Sequence, residues 1–204
     1  MRRLRILGLH GYHGSGETLR RQVCPLAVAL NPTADLVCVD APALAHGDFG
    51  WWHATEDAAG AVRYRGVSGT RSWLAAFFRS AGPFDGVFGF SQGAALSALL
   101  VALSAFDCAA VPRFDFAMLV GGFASRDPRH AEAFGIAGGI DVPSLHIIGR
   151  ADAIVPPRAS HALASRFRAP AIVEHDGSHV IPSTPGVHAA VADFLRVMAR
   201  RRSA

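Results

Sequence analysis

Ser91 stands between two glycines, in Gly89-Phe90-Ser91-Gln92-Gly93, after the apolar run Val87-Phe88 and before the alanine-rich stretch Ala94–Leu100. A serine on a sharp strand-to-helix turn needs small residues two positions to either side, because side chains there would strike the folded-back backbone and screen Oγ. The start of the following helix adds free N–H groups and a positive dipole end where negative charge would develop. The chemistry that fits is attack of a hydroxyl on a carbonyl carbon. The Gly-Ser placements at Ser15 and Ser178 do not repeat the pattern.

A serine hydroxyl is a poor nucleophile at neutral pH, so it needs a base within hydrogen-bond reach and a carboxylate to fix the tautomer of that base. Around a turn of this kind the acid follows the serine in the chain and the histidine comes last. Asp152, in GRADAIVP after Leu145–Ile148, and His179, in EHDGSHVIP after Ile172–Glu174, satisfy that order. Both fall at the C-terminal ends of apolar runs, where open α/β sheets gather functional groups. His175 competes for the base role, and Asp176 and Asp141 for the acid. His179 is preferred because it lies in a Gly/Ser-containing loop able to reach Ser91, whereas His175 ends a strand. Asp152 is preferred because Pro156-Pro157 separates it from the next helix and leaves it no direct capping role. His146, between Leu145 and Ile147, reads as a core residue. His46, His53, His130, His161 and His188 read as surface positions whose spacing suggests no metal site.

A tetrahedral intermediate also requires an oxyanion hole, normally the N–H after the nucleophile plus one from the loop after an early strand. Gln92 supplies the first, and Tyr12, in Leu9-His10-Gly11-Tyr12, the second, with Gly11 allowing close backbone approach. The segment HGYHGSGET has neither a GK[ST] ending nor G-x-G-x-x-G, which argues against a nucleotide loop.

The elements that must hold these groups are legible as short apolar runs alternating with helical spacing, the pattern of a mostly parallel sheet with helices on both faces. Strands are expected at Arg5–Leu9, Leu36–Asp40, Gly86–Phe90, Phe116–Val120, Leu145–Ile148 and Ile172–Glu174. Helices are expected at Leu19–Leu30, Thr70–Ser80, Gln92–Ala105, Ser160–Phe167 and Pro185–Arg200. Without a repeat or a linker-like tract, residues 1–204 read as one domain. The stretch at about 46–65 lacks clean periodicity between a strand and a helix, where a cap or acyl-binding insertion would lie.

In LGLHGY, Trp51-Trp52, GPFDGVFGFSQGAA, Gly121-Gly122-Phe123, Pro143-Ser144-Leu145-His146 with Asp152, and His179 with Pro182, the chain resembles the FSH-type small serine hydrolases, a family of α/β-hydrolase fold. The resemblance runs through the whole chain, with GPFDGVFGFSQGAA its most specific part. It implies Ser91 as nucleophile, Asp152 as orienting acid and His179 as base, without cofactor or metal. It further implies hydrolysis of carboxylic esters, often with medium or long acyl chains, and of thioesters in some members. The usual paired glycines before the histidine read Gly177-Ser178 here. His10, Phe49, Trp51, Trp52 and Phe123 are the candidate substrate-binding residues, since aromatics offer apolar area beside a nucleophile. The alternative for the tryptophans is packing of the cap onto the domain. The rival functions are a thioesterase or acyltransferase drawing on an acyl-carrier partner, and a binding protein that keeps the fold without turnover.

Composition narrows the field further. Half of the residues are hydrophobic and 18% are charged, below the roughly 25% usual in globular chains, so a packed core is expected and disorder is not. The net charge of +4 comes from scattered arginines with one run, Arg200-Arg201-Arg202, and without interleaved aromatics, so no nucleic-acid partner is expected. Lysine is absent from the sequence, a bias that suits coding composition better than arginine-specific recognition. Three cysteines, Cys24, Cys38 and Cys108, without C-x-x-C spacing suggest neither a disulfide framework nor zinc, and so a cytoplasmic setting. The apolar stretch Leu4–Leu9 is too short and interrupted for a signal segment, and no run is long enough to span a bilayer.

Overall fold

Six of the short apolar runs pair with one another, all in parallel. A computed structural model describes residues 2–42, 50–106, 111 and 113–203. In chain order the elements are β1 (Leu4–Leu9), α1 (Gly16–Val23), α2 (Ala27–Leu30), β2 (Ala34–Val39), β3 (His53–Glu56), β4 (Val62–Arg65), α3 (Val67–Ala81), β5 (Gly86–Phe90), α4 (Gln92–Phe106), β6 (Phe116–Val120), α5 (Ala131–Phe134), β7 (Ser144–Gly149), α6 (Pro157–Ala164), β8 (Pro170–His175) and α7 (Pro185–Ser203). The main sheet runs β2-β1-β5-β6-β7-β8. Strands β5, β6 and β7 are buried at every residue, so GVFGF, FAMLV and SLHIIG carry no polar alternation.

Two apolar layers enclose the sheet. Leu74 of α3, Leu96 and Leu99 of α4, Phe134 of α5 and Leu163 of α6 pack on one face together with Trp51, Trp52, Val62 and Tyr64. Leu19 of α1, Leu30 of α2 and Val187, Val191 and Leu195 of α7 pack on the other with Phe88 and Phe116. The expected mostly parallel sheet with helices on both faces is what forms. Because β2 lies to one side of β1 and β5 to the other, the strand order reverses between β1 and β5. In open α/β sheets, ligands collect at the carboxyl ends of strands at such a switch point. The loops after β1, β5, β6, β7 and β8 carry Tyr12, Ser91, Gly121, Asp152 and His179 respectively.

Differences from expectation have a clear physical cause in three places. The helix expected over Leu19–Leu30 stops at Val23 and passes through a tight turn, Cys24–Leu26, before α2, because Pro25 has no N–H to continue the ladder. Helix α6 begins at Pro157 and ends at Ala164, several residues earlier at each end than expected. Proline suits a first helical position, where its missing N–H would have no partner. Within the stretch 46–65, residues from His53 form an antiparallel hairpin, His53↔Arg65 to Glu56↔Val62. Its turn is closed by Asp57, whose Oδ1 accepts from the N–H groups of Ala59 (3.0 Å) and Ala61 (2.9 Å). Phe49 lies outside the described residues. Among the described residues, no helix is long and apolar enough to cross a membrane.

Candidate active site

The turn at Ser91 is as sharp as its glycines imply. Ser91 has φ +55, a left-handed conformation that costs a non-glycine residue roughly 1–2 kcal/mol. Hydrogen bonds on both sides hold it there: Ser91 N–H donates to Val120 O (2.9 Å) and Ala95 N–H to Ser91 O (3.0 Å). A Cβ on Gly93 would lie 2.0 Å from Leu9 O, and one on Gly89 2.4 Å from Gly93 O. The glycines therefore let β5, α4 and the end of β1 touch backbone to backbone.

Asp152 and His179 meet across two loops. His179 Nδ1 lies 2.6 Å from Asp152 Oδ2, while Asp152 Oδ1 accepts from the N–H groups of Ile154 (2.9 Å) and Val155 (2.8 Å). Both side chains are sequestered, at 11% and 3% exposed, which strengthens the pair and orients the imidazole. The loops are laced by Arg150 N–H to His175 O (2.8 Å) and Ala151 N–H to Gly177 O (3.2 Å). Gly149 permits this crossing, since a Cβ there would lie 2.6 Å from Ser178 O.

Gly121 forms the floor beneath the pair. Its φ is +55, and a Cβ on it would approach His179 Cε1 to 3.0 Å and Asp152 Oδ2 to 3.4 Å. Its N–H donates to Ile147 O (3.0 Å), and its neighbour Val120 holds the Ser91 N–H. The ring of Phe90, next to the serine, packs 4.9 Å from the His179 ring. These contacts bring His179 to the Ser91 turn, although Ser91 Oγ has no hydrogen bond to a described residue. Contacts of this kind commonly tighten only with substrate in place.

Among the described residues none accepts from the backbone N–H of Gln92 or of Tyr12. Gly11 brings the two loops together, with a Cβ there falling 3.3 Å from Ser91 Cβ.

The competing residues have other hydrogen-bond and ion-pair partners. Asp176 is 92% exposed and paired with Arg150 at 2.5 Å, and Asp141 is exposed and paired with Arg168 at 3.0 Å. His175 is buried, accepts from Gly177 N–H at 3.2 Å, and has its pKa lowered by burial. His146 lies in the core against Ser144 Oγ (3.1 Å), its pKa pushed down by burial to about 4. Among the described residues no group of three or more His, Cys, Asp or Glu side chains is placed to hold a metal ion.

The residues expected to bind substrate are placed as follows. His10 is wholly buried and its ring nitrogens are both used, Nδ1 donating to Gly11 O (2.7 Å) and Nε2 accepting from Ala41 N–H (3.0 Å). Burial lowers its pKa, in keeping with this neutral tautomer. Trp51 is also wholly buried, its indole N–H donating to His10 O at 2.8 Å. Trp52 is buried and stacks on Tyr64 at 4.8 Å. These three residues hold loops together, as in the packing alternative. Phe123 is half-buried against the same layer.

Of the exposed large apolar residues, Tyr12, Ile154 and Val180 lie in the loops after β1, β7 and β8, the last two of which carry Asp152 and His179. Ile154 and Val180 went unnoticed in the sequence, where single apolar loop residues carry no signal. The role of Gly121 was also missed, although the doublet Gly121-Gly122 at a strand end was a visible cue.

The profile described as Serine hydrolase (FSH1) matches residues 1–191. Esterase OVCA2 of Xenopus tropicalis is 35% identical, with 94% of this chain and 92% of the relative covered. Esterase OVCA2 of Homo sapiens is 33% identical, with 95% and 96% covered. Among solved structures, Zea mays acyl-protein thioesterase 2 superposes with a TM-score of 0.68 at 18% identity, covering 98% of this chain and 95% of that one, a likeness of fold. The fold is that of the α/β-hydrolases, and the chain belongs to the FSH1 serine hydrolase family.

Proposed function

We propose that this enzyme hydrolyses carboxylic esters through an acyl-enzyme formed on Ser91, with His179 as base and Asp152 as its orienting acid. The observation that carries this reading is the 2.6 Å contact between His179 Nδ1 and a buried Asp152 carboxylate, beside a serine held at φ +55. With Nδ1–H donating to Asp152, the lone pair of His179 Nε2 is left for the Ser91 hydroxyl proton. Ser91 Oγ bonds to the carbonyl carbon, and the oxyanion is received by the N–H groups of Gln92 and Tyr12. Collapse breaks the bond to the leaving oxygen, which takes the proton from His179. Water, deprotonated by the same imidazole, then releases the acid and restores Ser91.

The whole chain acts as one hydrolase domain in this reading, with the β3–β4 hairpin as its cap. Tyr12, Ile154, Val180 and Phe123 supply apolar surface for the substrate. The free thiols of Cys24 and Cys38 support a cytoplasmic setting. A carrier-bound thioester would enter the same chemistry with a thiolate as leaving group.

The test is labelling of wild type and Ser91→Ala with a fluorophosphonate, alongside hydrolysis of p-nitrophenyl esters and pantetheine thioesters of increasing acyl length. Labelling and turnover that vanish together in Ser91→Ala are expected. A wild type that is folded yet inert to probe and esters alike would defeat the proposal.

A further inference from the structure

The side chain of Gln92 is 7% exposed and spends both its polar atoms on a neighbouring loop. Its Oε1 accepts from Trp51 N–H (2.8 Å) and its Nε2 donates to Trp52 O (2.9 Å), so one amide pairs with two consecutive main-chain groups. Trp51 carries the connection onward. Its indole N–H donates to His10 O (2.8 Å), and its own carbonyl accepts from Thr70 Oγ1 (2.6 Å). A Cβ on Gly50 would lie 2.8 Å from Tyr12 Cε2, so the same loop also lies against the Tyr12 ring.

The two N–H groups assigned to the oxyanion hole sit at the two ends of this chain of contacts. Gln92 N–H belongs to the residue that starts it, and Tyr12 N–H lies two residues beyond the His10 carbonyl that ends it. Resting on the hydrolase reading above, we infer that the Gln92 side chain and the Trp51 indole form a brace that sets the separation of the two oxyanion donors. Gln92 thus has two tasks: its backbone touches the developing charge, and its side chain acts as a positioning group for the other donor. Trp51, buried away from substrate, is a positioning residue. Oxyanion stabilisation depends on donors fixed before the charge arrives, and displacement of a reacting geometry by about 1 Å can cost roughly 100-fold in rate. A brace of buried hydrogen bonds suits that requirement better than two independent loops.

Two substitutions test the brace. Trp51→Phe keeps the apolar ring and removes the N–H to His10 O. Gln92→Glu keeps the shape: protonated, its carboxyl accepts from Trp51 N–H and donates to Trp52 O; ionised, it turns a bare oxygen toward that carbonyl. Each protein is titrated with fluorophosphonate, so that kcat is expressed per active site and unfolded molecules drop out. For Trp51→Phe we expect kcat to fall about tenfold with KM unchanged, equally for acetyl and octanoyl esters. For Gln92→Glu we expect its kcat divided by that of wild type to decline as pH rises, because only the protonated carboxyl preserves both bonds. Of the titratable groups against this brace, His10 packs on Trp51 and has both ring nitrogens engaged by main-chain groups in both proteins. A pH-independent ratio together with wild-type kcat per site in Trp51→Phe would overturn the brace, as would a Trp51→Phe defect confined to KM or to long acyl chains. Failure of the wild type itself to label or turn over would instead strike at the hydrolase reading.

Discussion

Two buried carboxylates in this molecule have opposite kinds of partner. Asp127, beneath the hairpin, is fully buried and accepts from Tyr64 N–H (2.7 Å), Arg129 N–H (3.0 Å) and the Arg129 guanidinium (2.6 Å at Nη2). Hydrogen bonds from Arg129 hold its carboxyl well below the usual range. Asp152 is buried to a similar degree, yet its partners are two backbone N–H groups and the His179 imidazole. A guanidinium stays charged throughout the accessible pH range, so the Asp127 cluster has a single protonation state. An imidazole can take up a proton and give it back, which is what the proposed mechanism asks of the Asp152–His179 pair. Burial of an acid is thus the same expedient in both places, and the partner decides whether it anchors a loop or serves a reaction.

Exchanging acid for amide at each site should separate the two roles most widely. Asp152→Asn removes the acceptor that fixes the His179 tautomer, and kcat is expected to drop by about 10⁴ while the fold persists. A thermal melt beside steady-state kinetics reads both quantities. Asp127→Asn is expected to leave kcat per fluorophosphonate-titrated site within a few-fold of wild type. It should lower stability by about 2 kcal/mol, because an amide cannot satisfy both Tyr64 N–H and Arg129. Arg129 remains 58% exposed, so the loss stays below the roughly 3–5 kcal/mol of a fully buried broken pair. If Asp127→Asn instead abolished kcat per site, the division between anchor and reaction would collapse.

Gly121→Ala sharpens the same contrast from below. The added methyl would fall 3.0 Å from His179 Cε1 on a backbone at φ +55. Displacing the imidazole is expected to lower kcat about 100-fold. The strain should cost only about 1–2 kcal/mol in a denaturant melt. Equal losses in activity and in folded fraction would mean that the imidazole had not moved.

How much of this could be read beforehand follows from the range of the interactions. Ser91 and its glycines were legible because the turn is local: Gly89 and Gly93 are needed by backbone atoms only a few residues away in the chain or just across from β1. Strands β5 and β6 matched to the residue because fully buried parallel strands are uninterrupted apolar runs. The hairpin was harder. Val62-Arg63-Tyr64-Arg65 does alternate, but Val62 and Tyr64 are buried, Tyr64 stacks on Trp52, and its N–H bonds Asp127, a partner 63 residues on in the chain. The packing partners of Trp51 and His10 were hidden for the same reason. An aromatic or imidazole near a nucleophile looks like a substrate contact until the carbonyl and N–H that engage its polar atoms are placed, and those lie 41 and 31 residues away in the chain.

Buried histidines extend the comparison to pH. Burial pushes His146 down to about 4, and it also lowers His10 and His175. Unfolded, such groups titrate near 6.5. Between pH 6.5 and about 4 the unfolded chain therefore binds protons that the native His146 refuses, so stability falls as pH drops through that window and is unaffected above it. Melts of His146→Gln should show a shallower acid slope than wild type, with unchanged stability dependence above pH 7. An identical slope would show that His146 is not the group responsible.

The smallest expected effect belongs to the exposed member of the same loop. Asp176 lies three residues before His179 and bonds Arg150 at 2.5 Å, but its side chain is 92% exposed. Water and salt screen such a pair, and holding two mobile side chains in one geometry offsets most of the attraction. The loop keeps its shape through main-chain bonds, Arg150 N–H to His175 O and Ala151 N–H to Gly177 O, that do not involve the Asp176 carboxylate. Asp176→Ala should therefore change stability by less than about 0.5 kcal/mol and leave kcat and KM at wild-type values at both low and high salt. A loss of kcat approaching that of Asp152→Asn would transfer the orienting role from the buried acid to the exposed one, contrary to the 2.6 Å bond that His179 makes with Asp152.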